Sequence, residues 1–127
     1  MALLIDAVHC LIIADDESNI DTRTLNTELA NNLASKDTQI IVITNARGDR
    51  YTKLRSLLMD YNFQTYTLEN NPKKTDPDYF VRVLQYYGLD PEECLYLDHS
   101  QDNLDAAAEV GIQGELYVDN NHISFLQ

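Results

Sequence analysis

The sequence has few basic residues and few cysteines, and it contains no tryptophan. Nine lysines and arginines stand against 21 aspartates and glutamates, which gives a formal net charge of −12 and a pI near 4.3. A surface with this balance repels nucleic-acid phosphates and anionic lipid headgroups. We therefore expect neither nucleic acid nor a membrane surface to be a partner of this protein.

The two cysteines, Cys10 and Cys94, are far apart in the sequence, and each lies inside an apolar run. The chain has no Cys-x-x-Cys pair and no Cys/His spacing typical of a zinc site. This pattern favours two buried, reduced thiols in a reducing compartment. The apolar N-terminal run lacks a basic start and a small-residue cleavage site, and it is too short to span a bilayer. We therefore expect a cytoplasmic protein.

Length and patterning predict one α/β domain covering residues 1–127. A chain of 127 residues fits a single domain, and a hydrophobic content of 44% is enough for a core. Short apolar runs alternate with amphipathic segments, and we find no internal repeats and no low-complexity linker. The alternation predicts a three-layer α/β/α sandwich around a mostly parallel sheet of about five strands.

The boundaries of these elements follow from apolar periodicity and capping residues. The predicted strands are 2–8, 39–44, 65–68, 94–97 and 115–118, with 9–14 as a second short strand or hairpin arm. The first predicted helix is capped by Asp21 or Thr22 and carries Leu25, Leu29 and Leu33. Three more are predicted, from 49 to about 61, from Asp76-Pro77 to Gly88, and from 102 to about 110.

Polar residues stand directly after several of the buried strands. In an open parallel sheet such residues converge on one crevice at the carboxyl ends of the strands. The residues that follow strands are Asp6, Thr44, Asn45, Asp98, His99 and Ser100, and Lys73 and Lys74 precede the Asp76-Pro77 helix start. A carboxylate that attacks phosphorus, a hydroxyl and an ammonium that hold its oxygens, and carboxylates around Mg²⁺ would form a phosphoryl-transfer site.

Three stretches resemble one protein family. Residues 74–112, KTDPDYFVRVLQYYGLDPEECLYLDHSQDNLDAAAEVGI, resemble the C-terminal half of haloacid-dehalogenase (HAD)-superfamily hydrolases in their lysine, D-P-x-x-F, P-E-E-C strand entry, acidic loop and A-A-x-x-x-G-I helix. IIVITNARG resembles the strand of that family that ends in Ser or Thr, and LLIDAVHCLI resembles its first strand with the nucleophilic Asp. The resemblance covers residues 2 to about 118 and implies a Rossmann-like, HAD-like fold.

The resemblance also implies a role for each matching residue. Asp6 would be the nucleophile and a ligand of Mg²⁺, and Thr44 would hydrogen-bond the transferring group. Lys74 would balance the charge of nucleophile and phosphate, and Asn45 would be a further substrate-binding residue. The remaining metal ligand would be Asp98 or Asp102. We interpret the neighbouring Lys73 as a solvated surface charge.

Two positions depart from the family pattern. The second catalytic Asp, two residues after the nucleophile, is here Val8, which cannot transfer a proton. His99 stands where a carboxylate should bind the metal directly, and Mg²⁺ takes imidazole poorly. These changes predict a weak magnesium site and weak or absent phosphatase activity. The alternative is a catalytically inactive binding or regulatory module, in which Asp6 merely ends a strand and Asp98 is a helix N-terminal acid.

The spacing of the candidate site residues leaves little room for a cap domain. The gap from Asp6 to Thr44 is 38 residues and the gap from Thr44 to Lys74 is 30, and predicted hairpins, helices and strands fill both. For a capless member, the resemblance implies either a bulky phosphorylated substrate or a lid from a partner subunit. We therefore expect a phosphorylated substrate, with a homo-oligomer or a protein partner as the source of any lid.

Overall fold

A computed structural model describes residues 1–16 and 18–126. The described strands are β1 Ala2–Asp6, β2 Ile12–Ile13, β3 Thr24–Leu25, β4 Gln39–Thr44, β5 Gln64–Thr67, β6 Cys94–Asp98 and β7 Gln113–Leu116. Five of them form a parallel sheet in the order β5-β4-β1-β6-β7, which confirms the predicted sheet. β2 and β3 pair separately as a small antiparallel ribbon.

Side-chain alternation along the central strand divides the core into two layers. Leu3 and Ile5 pack into one hydrophobic cluster, whereas Leu4 packs into the other. Strands with helices on both faces are apolar on both sides, as the continuous β-branched run of β4 predicts. The described α-helices are α1 Thr27–Ala34, α2 Asp49–Leu57, α3 Pro77–Tyr87 and α4 Gln101–Glu109. Helices α1 and α2 contribute to the first cluster and α3 and α4 to the second, so the predicted three-layer sandwich is confirmed.

Helix α3 has the boundaries that its capping residues predict. The Asp76 side chain accepts a hydrogen bond from the Asp78 backbone N–H, and Pro77 occupies the first helical position. Gly88 ends the helix in a left-handed conformation, with φ of 65°, which glycine adopts without steric cost. The N-cap lies two residues after Lys74, so it fixes where the helix begins relative to that lysine.

The predicted start of α1 is wrong. Asn26, not Asp21 or Thr22, caps the helix and accepts a hydrogen bond from the Leu29 N–H. Leu25 lies in β3 opposite Ile12, so tertiary pairing removes it from the helical stripe of leucines. The other boundaries differ by a few residues: α2 ends at Leu57 rather than near residue 61, and β7 covers 113–116 rather than 115–118.

Among the described residues, no helix combines the length and the apolar character needed to cross a bilayer.

Candidate active site

The carboxyl ends of three adjacent strands meet at one cleft. Asp6 ends β1, Thr44 ends β4 and Asp98 ends β6, so parallel pairing places all three at the same edge. The cleft has a volume of about 290 Å³. Its lining comprises Asp6, Val8, Arg23, Thr44, Asn45, Ala46, Arg50, Lys74, His99 and Asn103. Three larger depressions, of about 370, 440 and 450 Å³, lie elsewhere, but none is lined by the strand-end carboxylate, hydroxyl and ammonium groups together.

A buried lysine joins the two strand-end carboxylates. Lys74 is 4% exposed, and its Nζ donates to Asp6 Oδ1 and, at 3.2 Å, to Asp98 Oδ2. Burial alone would raise the pKa of Asp6, but the Lys74 charge and the His99 hydrogen bond hold it below its usual value. Burial would likewise lower the pKa of Lys74, but the two carboxylates raise it. Asp6 is therefore ionised, which is the form that a nucleophilic carboxylate requires.

His99 is hydrogen-bonded to the second carboxylate oxygen of Asp6. Its Nδ1 lies 2.6 Å from Asp6 Oδ2 and 3.3 Å from Asp98 Oδ1. The hydrogen bond to Asp6 raises the pKa of His99 above its usual value, although partial burial opposes the charge. Both carboxylate oxygens of Asp6 thus have a partner, which fixes the orientation of the group.

Asp98 is fully buried and is surrounded by donors. Besides Lys74, it accepts hydrogen bonds from the Tyr96 hydroxyl, from Asn103 Nδ2 at 3.1 Å and from the Ser100 N–H at 2.8 Å. An ionised carboxylate offers about four acceptor sites, so these partners leave little capacity for a metal. This geometry gives Asp98 the role of an anchor for Lys74.

Asp102 lies outside the cleft. Its side chain is exposed and lines a separate depression beside Thr75, Asp105 and Glu109. Ser100 caps α4, and the next inward-facing position is Asn103, which bonds Asp98. Successive helical residues point about 100° apart, so the helix turns Asp102 away from the strand ends. The structure therefore brings Asp6, Thr44, Asn45 and Lys74 together and does not bring Asp102 to them.

Thr44 and Asn45 are held in place by the segments that pack on them. Thr44 Oγ1 accepts from the Ala46 N–H at 3.0 Å, and the Tyr79 hydroxyl donates to the Thr44 carbonyl at 2.9 Å. Asn45 Oδ1 accepts from the Lys74 backbone N–H at 3.0 Å. This last bond ties the end of β4 to the loop before α3, and so sets the position of Lys74 relative to Thr44.

Two arginines that the sequence analysis did not single out also line the cleft. Arg23 is 7% exposed, and Arg50, in the first turn of α2, is exposed. With Lys74 they concentrate positive charge in a chain whose formal net charge is −12, which suits an anionic ligand. No local pattern marks either arginine, because only the folded chain brings the loop after β2 and the start of α2 to the strand ends.

The donor set of the cleft does not fit a magnesium site of the predicted kind. Among the described residues, the one group of three or more His, Cys, Asp or Glu side chains that could share an ion is Asp6, Cys10 and His99. Mg²⁺ requires near-octahedral oxygen ligands, and this group offers a single carboxylate. Asp98 is engaged elsewhere and Asp102 is turned away.

No protein-family sequence model and no curated protein sequence matches the chain. Solved structures do. A HAD-family enzyme from Bacteroides thetaiotaomicron, crystallised with magnesium and inorganic phosphate, matches with a TM-score of 0.79, 16% identity and coverage of 98% of each chain. A HAD-superfamily hydrolase from Ehrlichia chaffeensis matches with a TM-score of 0.70, 14% identity and coverage of 92% of this chain and 87% of that one. The chain therefore has the HAD-like fold, as its sequence motifs predict.

Proposed function

We propose that this protein is a HAD-like phosphohydrolase of low turnover that binds phosphate monoesters in the cleft. The observation that carries the proposal is the convergence of an ionised Asp6 with Lys74, Thr44 and Asn45 at the strand ends. The phosphate bound in the Bacteroides structure belongs to a protein of the same fold and length, which supports an oxyanion ligand here.

In this reaction the Asp6 carboxylate attacks phosphorus. The bond between phosphorus and the ester oxygen breaks, an aspartyl phosphate forms, and the leaving alkoxide takes a proton from solvent water. Lys74 and Arg23 offset the negative charge of the phosphoryl oxygens, and the Thr44 hydroxyl donates to one of them. Water then hydrolyses the acyl phosphate, which returns Asp6 and releases inorganic phosphate.

Two features make this reaction slow. Val8 lines the cleft where an acid would protonate the leaving group, and general acid–base catalysis contributes roughly 10²–10⁴-fold. Each oxygen of Asp6 also has a hydrogen-bond partner, Lys74 or His99, which lowers the nucleophilicity of the carboxylate. We therefore expect turnover far below that of an enzyme with an acid at position 8.

The test is hydrolysis of a chromogenic aryl phosphate by pure protein. We expect slow release of the phenol by wild type and none above background for Asp6→Asn. Asp102→Asn makes the same chemical change outside the cleft and should keep the wild-type rate. Equal rates for wild type and Asp6→Asn would refute the role of Asp6 as nucleophile.

The second candidate function is a binding or regulatory module without turnover. It is favoured by Val8 and by the two partners that occupy Asp6. It predicts that inorganic phosphate or a phosphate ester binds the cleft, and that wild type and Val8→Asp both fail to hydrolyse it. Appearance of activity in Val8→Asp would instead support a scaffold that is competent for catalysis.

A lid for the cleft, if the reaction needs one, would come from outside the described residues. We therefore propose that the substrate is large or that a second subunit covers the site. Sedimentation of the protein with and without phosphate tests whether a ligand drives assembly.

A further inference from the structure

Three side chains with different donor atoms meet at the carboxyl end of β1. A carboxylate oxygen of Asp6, the sulfur of Cys10 and a ring nitrogen of His99 lie within 4.8 Å of one another. Asp6 is 3% and Cys10 2% exposed, whereas the His99 side chain is 39% exposed. Asp6 and Cys10 are therefore enclosed, whereas the exposed part of His99 makes the cluster accessible from solvent.

The turn after β1 creates this cluster. The Cys10 and Ile12 N–H groups both donate to the Ala7 carbonyl, at 3.2 and 2.8 Å, and so fold the chain back on the strand end. His9 adopts a φ of 72° to close the turn, in a region that non-glycine residues rarely occupy. Residues in such strained conformations persist only where the surrounding structure stabilises them, and they are found often at functional sites. The sequence spacing shows no zinc motif, since His99 arrives from β6 and not from the same segment.

We propose that Asp6, Cys10 and His99 form a binding site for a divalent metal ion of the zinc type. Oxygen, sulfur and nitrogen donors together suit Zn²⁺ and its neighbours Co²⁺ and Ni²⁺, whereas Mg²⁺ requires oxygen. Three protein ligands leave a fourth position open, as in zinc sites that also bind a small ligand.

The neighbouring bonds show where the ion would fit. Lys74 donates to Asp6 Oδ1, whereas Asp6 Oδ2 lies beside His99 Nδ1, so Oδ2 is the carboxylate oxygen nearest the imidazole donor. On binding, the ion takes the place of two protons, that of the Cys10 thiol and the one between His99 Nδ1 and Asp6 Oδ2. Both protons leave to solvent as the metal–sulfur and metal–nitrogen bonds form.

The charges balance once the ion is bound. The Asp6 and Asp98 carboxylates and the Cys10 thiolate then carry three negative charges, and Lys74 offsets one of them. With His99 neutral as a ligand, the dication offsets the other two, so that no uncompensated charge is left in this buried environment.

The test uses cobalt as a spectroscopic probe in the presence of excess Mg²⁺. In Cys94→Ser, Cys10 is the sole remaining cysteine. We expect Co²⁺ to produce a thiolate-to-cobalt charge-transfer band in this variant, and Zn²⁺ to abolish it by displacement. Cobalt binding without that band would overturn the proposal, as would the absence of any binding.

A second pair of variants tests the imidazole ligand. His99→Asn should weaken Zn²⁺ binding in calorimetry by more than about 100-fold, because loss of outer partners alone typically costs 10–100-fold. His122→Asn removes an exposed histidine that pairs with Asp119 at 2.7 Å, and it should leave the affinity unchanged. Equal affinities in His99→Asn and wild type, or a loss confined to His122→Asn, would overturn the proposal. No substrate is present, so the outcome is independent of the proposed hydrolase activity.

Discussion

Replacing Lys74 by Met tests whether the buried lysine holds the site together. The side chain is 4% exposed and lies between Asp6 and Asp98, which are themselves 3% and 0% exposed. Met keeps the length and apolar stem of Lys but leaves both carboxylates without their ammonium partner. Breaking a buried ion pair by removing one partner costs about 3–5 kcal/mol. For a chain of this size we expect the midpoint of thermal unfolding to fall by roughly 10–20 °C.

The effect should depend on pH in a defined direction. In wild type the pKa of Asp6 is lowered, so this carboxylate stabilises the fold above its unfolded pKa and loses that contribution as pH falls through the folded value. In Lys74→Met the lysine charge no longer offsets the effect of burial, so the pKa of Asp6 rises. The ionised carboxylate then penalises the folded state increasingly as pH rises above about 4. The difference in free energy of unfolding between variant and wild type should therefore increase from acidic to neutral pH.

Urea unfolding of both proteins at several pH values measures this difference. Lys73→Met is the matched control, because Lys73 is the exposed neighbour. Surface substitutions typically change the free energy of unfolding by less than about 0.5 kcal/mol. If the free energies of unfolding of Lys74→Met and Lys73→Met at neutral pH differed by no more than this, the stabilising role of Lys74 would be refuted.

Three further predictions concern metal affinity, titration and a helix cap. Mg²⁺ should bind wild type with about millimolar affinity or weaker, and His99→Asp should bind it more tightly in calorimetry; equal affinities would mean that a carboxylate at position 99 does not complete an oxygen site with Asp6. In NMR titration the pKa of His99 should lie above 6.5 and should fall in Asp6→Asn; an unchanged pKa would contradict the Asp6 contact. Because the folded pKa is raised, His99 stabilises the fold at low pH and loses this effect as pH rises through its folded pKa. Asp76→Ala should lower the free energy of unfolding by about 1 kcal/mol in urea, and no loss would mean that the cap is not energetically significant.

Elements with strong local signals were predictable from the sequence. β4 is a continuous run of β-branched residues, and α3 begins at Asp76-Pro77 and ends at Gly88. The start of α1 was not predictable, because Leu25 continues the helical spacing of leucines yet pairs with Ile12 in the ribbon. Such a pairing depends on a contact between distant residues that local periodicity does not contain.

The candidate site divides in the same way. Asp6, Thr44 and Lys74 follow strands or precede a capped helix, so topology alone predicts that they converge. Arg23 and Arg50 could not be predicted, because only the folded chain brings the loop after β2 and the start of α2 to the cleft. The position of Cys10 beside Asp6 could not be predicted either, because it depends on the tight turn after β1.

The choice between Asp102 and Asn103 depends on the rotation of α4. A shift of one residue in the helix start turns the facing side chain by about 100°. The Ser100 cap fixes that start, and Asn103 rather than Asp102 then reaches Asp98.

Titration of inorganic phosphate followed by backbone amide NMR tests the central claim most directly, because it reports where an oxyanion binds whether or not turnover occurs. We expect saturable shifts at the amides of Thr44, Asn45, Ala46 and Lys74, which line the cleft. Shifts confined to the depression formed by residues of α2 and the segment before β5, such as Thr52, Arg55 and Phe63, would contradict the account, as would the absence of saturable shifts at the strand ends.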